Sequence, residues 1–447
     1  MTNSRIARLL RPLGLERRDL RAWALWDWAN SAFTTTIVAA VFPIYFSSVA
    51  AAGMPAATAT FRFSLATTLA LVIVALIAPV LGAVADVSGR KKRFLAAFQL
   101  VAILATLGLT TVTEGDWLVA LVFFAIGNVG AAAAFVFYDS LLPHLTSGRE
   151  LHVVSTAGYA VGYLGGGLLL ALNLLWIQQP QWFGLPDGGA GVRLSFLSVA
   201  VWWALFSIPL FRRVPEPPAR READEPPGAG TIATAFTRLG ETFRSISDYR
   251  DAFLMLAAFL LYSDGINTVI RMATIFGAEI GIEQQHLIGA LLLVQFVGVP
   301  FAFLFGRVAS GIGARTAIFI ALAVYVGICI LAFFMRTAAH FYGLAVLVAM
   351  VQGGSLALSR SLFASMIPRH KSSEFFGLFS ALEKFAGILG PAVFTVTVGL
   401  TASSRHATLA VASFFIVGAL ILWRVDVEKG QRVAREVEDA LSPGRPR

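Results

Sequence analysis

The sequence predicts an all-α polytopic membrane protein with twelve transmembrane helices in two pseudo-symmetric six-helix bundles. Three observations support this class. The chain is 57% hydrophobic and only 14% charged, with a mean hydropathy of +0.75, which is more apolar than a water-soluble domain of this size can be. Its apolar runs do not alternate, which favours helices of about 20 residues that cross a hydrocarbon core roughly 30 Å thick. Patterns in the first half also return in the second.

Six spans are predicted on either side of a long polar segment. Their expected bounds are 23–50, 63–85, 94–113, 117–139, 153–177, 194–211, 251–277, 286–306, 316–336, 341–363, 375–400 and 406–424. The chain is thus expected to comprise a basic arm, a first bundle, a linker, a second bundle and a tail, at 1–22, 23–211, 212–250, 251–424 and 425–447.

Two helices are predicted outside the spans. In the linker, apolar residues recur at helical spacing and predict an interfacial helix on the membrane surface, with a plain linker as the alternative; they are Ile232, Phe236, Leu239, Phe243 and Ile246. In the tail, the spacing of Val433, Val437 and Leu441 predicts a further helix.

Two motifs show that the halves are related. Between spans 2 and 3 lies Gly82-x-x-x-Asp86-x-x-Gly89-Arg90-Lys91, which returns between spans 8 and 9 as Gly306-Arg-Val-Ala309-Ser310-Gly-Ile-Gly313. At almost the same offset, Gly162-x-x-Gly165-Gly166 of span 5 matches Gly387-x-x-Gly390-Pro391 of span 11. Parallel repeats of this kind are a known plan of transporters.

The distribution of Lys and Arg predicts the orientation. Most of them lie in the N-terminal arm, the even-numbered loops and the tail, whereas the other loops carry only Arg62, Arg193, Arg336 and Arg405. Cytoplasmic loops keep positive charge, so both termini are expected in the cytoplasm. The net charge of +9 then follows from topology, and no nucleic-acid partner is expected.

Composition and motifs argue against an enzyme. The single cysteine, Cys329, excludes an intramolecular disulfide, and no His or Cys spacing favours a metal. The sequence has no phosphate loop and no nucleophile with an evident base. Neither a cofactor nor a metal is therefore expected.

The loop motif, the twelve spans and the central cytoplasmic loop together resemble the major facilitator superfamily. A narrower resemblance rests on Trp26-Asp27-Trp28-Ala29-Asn30-Ser31, Tyr262-Ser-Asp264-Gly265, Gln352-Gly353-Gly354 with Ser359-Arg360-Ser361, and Glu374-Phe375-Phe376-Gly377. These segments are similar to the branch that includes the fungal vacuolar amino-acid effluxer of autophagy and its bacterial relatives. The resemblance implies an alternating-access carrier and an amino-acid substrate. Ser310 departs from it, because an acidic residue is usual there.

Ionisable residues inside spans are candidates for function, because each costs roughly 2.5–3.5 kcal/mol on insertion. In span 7, Asp264, Asn267 and Arg271 share one helical face. An acid and a base about 10 Å apart along the helix can hold the ammonium and carboxylate groups of a zwitterion. Asp264 is also a candidate for proton coupling. The alternative is an ion-pair network that braces the helices.

Span 1 carries the matching pair Asp27 and Asn30, which is expected to line the same cavity. Asp27 is expected about one turn from the cytoplasmic end, where it either binds substrate amine or pairs with a basic residue. The tryptophans Trp23, Trp26 and Trp28 fit an interfacial aromatic belt better than substrate stacking.

In span 11, Glu383 shares a face with Gly387 and Gly390, and a buried glutamate suits proton coupling. The alternative is that Glu383 pairs with Lys384 or Arg360, which would oppose this role. In span 10, Gln352 and Arg360 are eight residues apart on one face. Arg360 is expected to bind either a substrate carboxylate or a lipid phosphate.

The loop motif is expected to form a gate, with Gly82 and Gly89 allowing close approach and a tight turn. Asp86 is expected to cap the following helix or to pair with an arginine, and the basic residues to contact anionic lipid; these are Arg90, Lys91, Lys92 and Arg93. Such contacts would hold the outward-facing state.

The sequence therefore predicts a secondary active transporter in a bacterial-type plasma membrane, monomeric and surrounded by lipid. Its expected substrate is a small polar solute, with amino acids first and proton coupling as an option. The alternatives are a carrier or exporter of drugs, sugars or lipid-like solutes, which a mostly aromatic cavity would favour, and last a receptor or scaffold that transports nothing.

Overall fold

A computed structural model describes residues 10–219, 230–244, 247–279, 281–401 and 404–441, and its regular elements there are all helices. The helices of spans 1 to 6 are Arg18–Ala50, Ala56–Ser88, Lys91–Gly108, Trp117–Leu145, Gly148–Gln178 and Gly188–Arg213. Those of spans 7 to 12 are Arg250–Glu279, Gln284–Ile312, Ala314–Phe333, Ala338–Ser365, Ser372–Thr401 and Ser404–Trp423. The interfacial helix is Thr231–Arg244 and the tail helix Val427–Ala440.

Within the described residues, 11 helices are long and apolar enough to cross a membrane. Span 11 is the remaining one, a helix of 30 residues. The predicted fold class is therefore confirmed. Most helices begin or end outside the predicted bounds, since an apolar run marks only the stretch inside the hydrocarbon, and a helix continues into the headgroup region. Large apolar side chains on the outside, such as Leu76 and Leu420, are more than half exposed, as lipid-facing residues should be.

Span 1 is not a uniform helix. Phe33–Ala40 and Phe46–Ala50 are π-helical and flank the short α-helical segment Val41–Tyr45. Wider π-helical turns leave some backbone groups without regular partners and are frequent at functional sites. A cavity of about 310 Å³, which we call the main cavity, is lined in part by Thr34, Thr35, Ala39 and Ala40 of the first π segment.

The two largest contacts between the halves are those of span 2 with span 11 and of span 5 with span 8, and span 5 also packs on span 10 and span 4 on span 11. The loops after spans 2, 4, 8 and 10, the interfacial helix and the tail helix all lie at one end of the bundle, which we call the basic end. The other end is the opposite end. Since the chain crosses the bundle with every span, a residue's place along its helix gives its depth.

Both extra helices contact the basic end. The interfacial helix packs on span 2 with Thr234, Arg238 and Thr242 buried, whereas Ile232 and Phe236 are exposed. Its place on a membrane surface remains a prediction; Ile246 and the side chain of Phe243 lie outside the described residues. The tail helix contacts the second half, where a Glu438 carboxylate oxygen accepts from the Arg369 backbone N–H at 2.7 Å.

Candidate functional site

Spans 2 and 11 cross closely at the basic end because glycine lies at the contact on each helix. A Cβ added to Gly82 would lie 2.1 Å from the Ser373 carbonyl oxygen, and one added to Gly377 would lie 2.5 Å from that of Ala78. The repeat has a parallel contact, since a Cβ at Gly306 would lie 2.1 Å from Thr156 Oγ1 of span 5. The loop-motif glycine of each half therefore marks where that half crosses the other.

Polar residues of both halves meet beside the first crossing, and we call them the loop cluster. Lys91 Nζ lies 2.6 Å from Asp86 Oδ1, 2.5 Å from Ser372 Oγ and 3.1 Å from His144 Nε2. The second carboxylate oxygen of Asp86 accepts from the Glu374 backbone N–H at 2.8 Å, near the start of span 11. Because the positive end of a helix favours an anion there, Asp86 stabilises the contact between halves.

Two expectations about the loop motif are corrected. Lys91 does not contact lipid, because it is 3% exposed and its ammonium group pairs with the Asp86 carboxylate. Asp86 caps span 11 of the other half, not the helix that follows it. Arg90 and Arg93 are exposed, so their contact with lipid stays a prediction. Gly89 makes the tight turn, with a φ of 61° that suits glycine.

A second group of polar contacts, the arginine cluster, lies deeper. Arg360 of span 10 is 1% exposed and donates from Nη1 to Asp139 Oδ1 of span 4 at 2.9 Å. Its Nε and Nη2 donate to the hydroxyl and carbonyl oxygens of Ser155 in span 5, each at 2.9 Å. Asp27 Oδ2 of span 1 lies 3.8 Å from Nη1. One arginine of the second half thus joins three spans of the first.

Aromatic rings enclose this guanidinium. Its central carbon lies 4.9 Å from the centroid of a Trp23 ring and 4.7 Å from that of Tyr159, and the Tyr138 hydroxyl donates to Asp27 at 3.3 Å. Rings at these distances attract a cation while they exclude water. The cluster is therefore largely buried, and each of its charges has an opposite charge beside it.

The expected aromatic belt is wrong for two of its three tryptophans. Trp23 and Trp26 are fully buried; Trp23 stacks on Tyr138, and Trp26 Nε1 donates to Gln99 Oε1 at 2.7 Å. Span 1 begins at Arg18, well before the predicted bound. Asp27 consequently lies about 13 Å along the helix from its start, not one turn from it.

A histidine adds another bond between the halves. His152 of span 5, 9% exposed, has its Nδ1 2.8 Å from Ser361 Oγ. The Ser155 hydroxyl donates to the Ala357 carbonyl oxygen at 2.7 Å. Spans 5 and 10 are thus bonded at several levels at the basic end.

The acids of spans 1 and 7 occupy related positions. The Asp27 carboxylate lies against Gly158 and Gly162 of span 5, where an added Cβ would be 3.2 and 3.3 Å from its oxygens. Asp264 is fully buried and accepts from the Gly390 backbone N–H of span 11 at 2.8 Å. In each half, an acid of the first helix therefore packs on the glycines of the fifth.

The structure places the other residues predicted on the helical faces of spans 1, 7, 10 and 11 in different environments. Asn30 is 1% exposed and Asn267 is half-buried. The side chain of Arg271 lies outside the described residues, so the predicted pairing of Asp264 with Arg271 around a zwitterion stays untested. Gln352 faces the main cavity, whereas Arg360, on the same helix, lies in the arginine cluster. Glu383, expected to be buried as the candidate for proton coupling, instead has a side chain that is 36% exposed and lies 3.2 Å from Lys384 Nζ.

The main cavity holds about 310 Å³ and extends from mid-membrane toward the opposite end. Leu287, Met335 and Phe341 line it near that end, and Tyr163 and Gln352 line it at mid-depth. Its walls are mostly aliphatic, with a few hydroxyl and amide groups and no charged residue among the described ones. The same described residues hold no group of acids, histidines or cysteines suited to a metal ion.

Sequence reasoning missed the partners that join the halves. Asp139, His144, His152, Ser155 and Ser372 have no spacing that relates them to Arg360 or Lys91. Their only signal was a polar side chain near the end of an apolar run.

The protein has two six-helix halves. Glycine crossings and buried ion pairs join them at one end, and a cavity separates them toward the other. This arrangement is that of a transporter of the major facilitator type. Solved structures share this fold. The proton:xylose symporter XylE bound to 6-bromo-6-deoxy-D-glucose has a TM-score of 0.68 and 14% identity, covering 97% of this chain and 99% of that chain. A bacterial homologue of the iron transporter ferroportin in an outward-facing state has a TM-score of 0.64 and 14% identity, covering 91% and 99%.

The chain belongs to the family described as vacuole effluxer Atg22 like, which it matches over residues 15–153 and 148–435. It is 35% identical over 420 residues to the uncharacterized MFS-type transporter YxiO of Bacillus subtilis, covering 94% of this chain and 97% of that protein. It is 28% identical over 313 residues to autophagy-related protein 22 of Yarrowia lipolytica, covering 64% and 52%. The chain thus spans about half the length of that fungal relative.

Proposed function

We propose that this protein is a secondary active transporter of amino acids that works by alternating access and is coupled to protons. One observation carries the mechanism: both polar clusters join the halves at the basic end, while the cavity extends toward the other. With the basic end in the cytoplasm, as the Lys and Arg distribution favours, the conformation is outward-facing. Opening inward then requires the loop and arginine clusters to separate.

The cavity supports the choice of substrate. An aliphatic wall with a few amide and hydroxyl groups fits a solute that has an apolar side chain and a small polar head. Glu383 and Lys384 are ionic groups near mid-depth outside this lining, and they are candidates to bind the head of a zwitterion. The resemblance of the sequence to the fungal effluxer's branch implies the same class. The aliphatic lining also keeps lipid-like solutes as the second candidate, whereas drugs recognised by aromatic stacking are less well supported.

Proton coupling is proposed to use Asp264 and Glu383. Asp264 links spans 7 and 11 through Gly390, so protonation of its carboxylate would weaken this contact and allow the helices to shift. The Glu383 side chain is 36% exposed, and we propose that water reaches it between the halves.

The test is uptake of a mixed, labelled amino-acid pool into proteoliposomes, with and without an imposed proton gradient. We expect saturable uptake that the gradient stimulates, and its loss in Asp264→Asn. The matched control is Glu114→Gln, the same change of acid to amide in an exposed loop, which should transport like wild type.

Two outcomes would contradict the proposal in different ways. Unchanged uptake by Asp264→Asn would remove that residue from the mechanism but leave the substrate class in place. If folded protein takes up no amino acid in any condition, amino acids are not the substrate, and lipid-like solutes become the leading candidate. If no solute is carried at all, a receptor or scaffold remains.

A further inference from the structure

A third ion pair lies nearer the middle of the membrane than the arginine cluster. Glu383 and Lys384 are about 16 Å along span 11 from its start, and Lys384 Nζ lies 3.2 Å from Glu383 Oε2. Their side chains are 36% and 24% exposed, respectively. Span 11 packs on spans 2 and 4 of the first half, so the pair lies on a helix at the boundary between the halves.

This pair differs in its bonding from the arginine cluster. The Arg360 and Asp139 side chains are 2% and 12% exposed, and Arg360 donates three hydrogen bonds to protein. Among the described residues, Glu383 and Lys384 have one charged contact, which joins sequence neighbours whose Cβ atoms point about 100° apart on a helix. Both side chains must bend to meet. A ligand that offers better geometry to each charge can replace this contact with little loss.

On the basis of the proposed function, we propose that Glu383 and Lys384 bind the head group of the amino acid. The Glu383 carboxylate receives the substrate's ammonium, and the Lys384 ammonium receives its carboxylate. Charge is balanced throughout, since one internal pair is exchanged for two external pairs and none of the four charges is left alone in the membrane. The substrate's side chain then lies toward the apolar cavity. When no substrate is bound, the Glu383 carboxylate is available for its proposed role with protons.

The experiment compares full-length variants in proteoliposomes, using the amino acid with the highest uptake in the pool. Two unlabelled analogues serve as competitors: the amine without the carboxylate, and the carboxylic acid without the amine. We expect Lys384→Gln to raise KM for the amino acid about tenfold, because a charged contact is lost, and to leave competition by the amine unchanged. Lys384→Arg keeps the charge and should raise KM only about threefold. Lys429→Gln, in the exposed part of the tail helix, is the matched control.

The results separate this inference from the proposed function. If wild type takes up amino acids and Lys384→Gln has an unchanged KM, the head-group site is overturned while the function stands. If wild type shows no amino-acid uptake, both fail together. Should Lys384→Gln not fold, competition in wild type decides: each analogue must compete about tenfold less well than the amino acid, and equal competition by the amine overturns the contact with Lys384.

Discussion

Replacing Asp139 with asparagine tests whether the arginine cluster holds the basic end closed. The change keeps the shape of the side chain and an acceptor oxygen for Arg360, but it removes the charge 2.9 Å from Nη1. The contact joins span 4 of one half to span 10 of the other, so it exists only while the halves touch there. The substitution therefore destabilises the closed state and leaves the open state, in which both groups are hydrated, nearly unchanged.

The magnitude follows from the contacts that remain. Removing one partner of a buried ion pair costs about 3–5 kcal/mol when the other is left alone. Arg360 keeps both hydrogen bonds to Ser155 and is still attracted by the Asp27 carboxylate at 3.8 Å. We therefore expect the closed state to lose about 2 kcal/mol of stability relative to the open state. That value shifts the ratio of closed to open basic end by roughly 30-fold.

Distances between spin labels measure this ratio directly. The single native cysteine, Cys329, is replaced by alanine, and labelled cysteines are introduced at Arg149 and Gly311, which are exposed at helix ends of different halves at the basic end. We expect a longer-distance population to grow in Asp139→Asn. As a control, Glu114→Gln should keep the wild-type distribution. An unchanged distribution in folded Asp139→Asn protein would refute the role assigned to the arginine cluster.

Two further predictions concern the loop motif. Gly82→Ala places a Cβ 2.1 Å from the Ser373 carbonyl oxygen, so spans 2 and 11 must separate. We expect turnover to fall severalfold and the population with longer distances between the labels to grow. Wild-type turnover together with a wild-type distance distribution would contradict the role of the glycine crossing. Asp86→Asn weakens the ion pair with Lys91 and should lower kcat more than it raises KM, as initial uptake rates will show, whereas a selective loss of affinity would argue that Asp86 belongs to the binding site.

The agreement between sequence and structure is closest for properties that each helix has by itself. Length and apolar character fix whether a segment crosses the membrane, because backbone groups in lipid must be satisfied within the helix. Glycine positions also carried information, since the related spacings around Gly162 and Gly390 correspond to related packing against Asp27 and Asp264. The tight turn at Gly89 was predictable because few other residues adopt its φ.

The partner of each charged residue could not be found in the same way. Arg360 was expected to meet substrate or lipid, and it lies instead against Asp139 and Ser155, more than 200 positions away in the chain. Nothing in the periodicity of span 10 indicates which helix of the other half it faces. Trp23 shows the same limit, because a ring that suits a membrane interface also suits a dry contact with a guanidinium.

The sequence by itself determined the number of spans, their division into two related halves and the ionisable residues inside them, because these depend on local hydrophobicity and on spacing along one helix. Only the tertiary structure decided which charges are used to join the halves and which remain exposed between them. Lys91 and Lys384 each pair with an acid that lies close to them in the sequence. Lys91 is buried by a crossing of two helices, whereas the Lys384 side chain is 24% exposed. That difference arises from packing between distant segments, which no short stretch of sequence encodes.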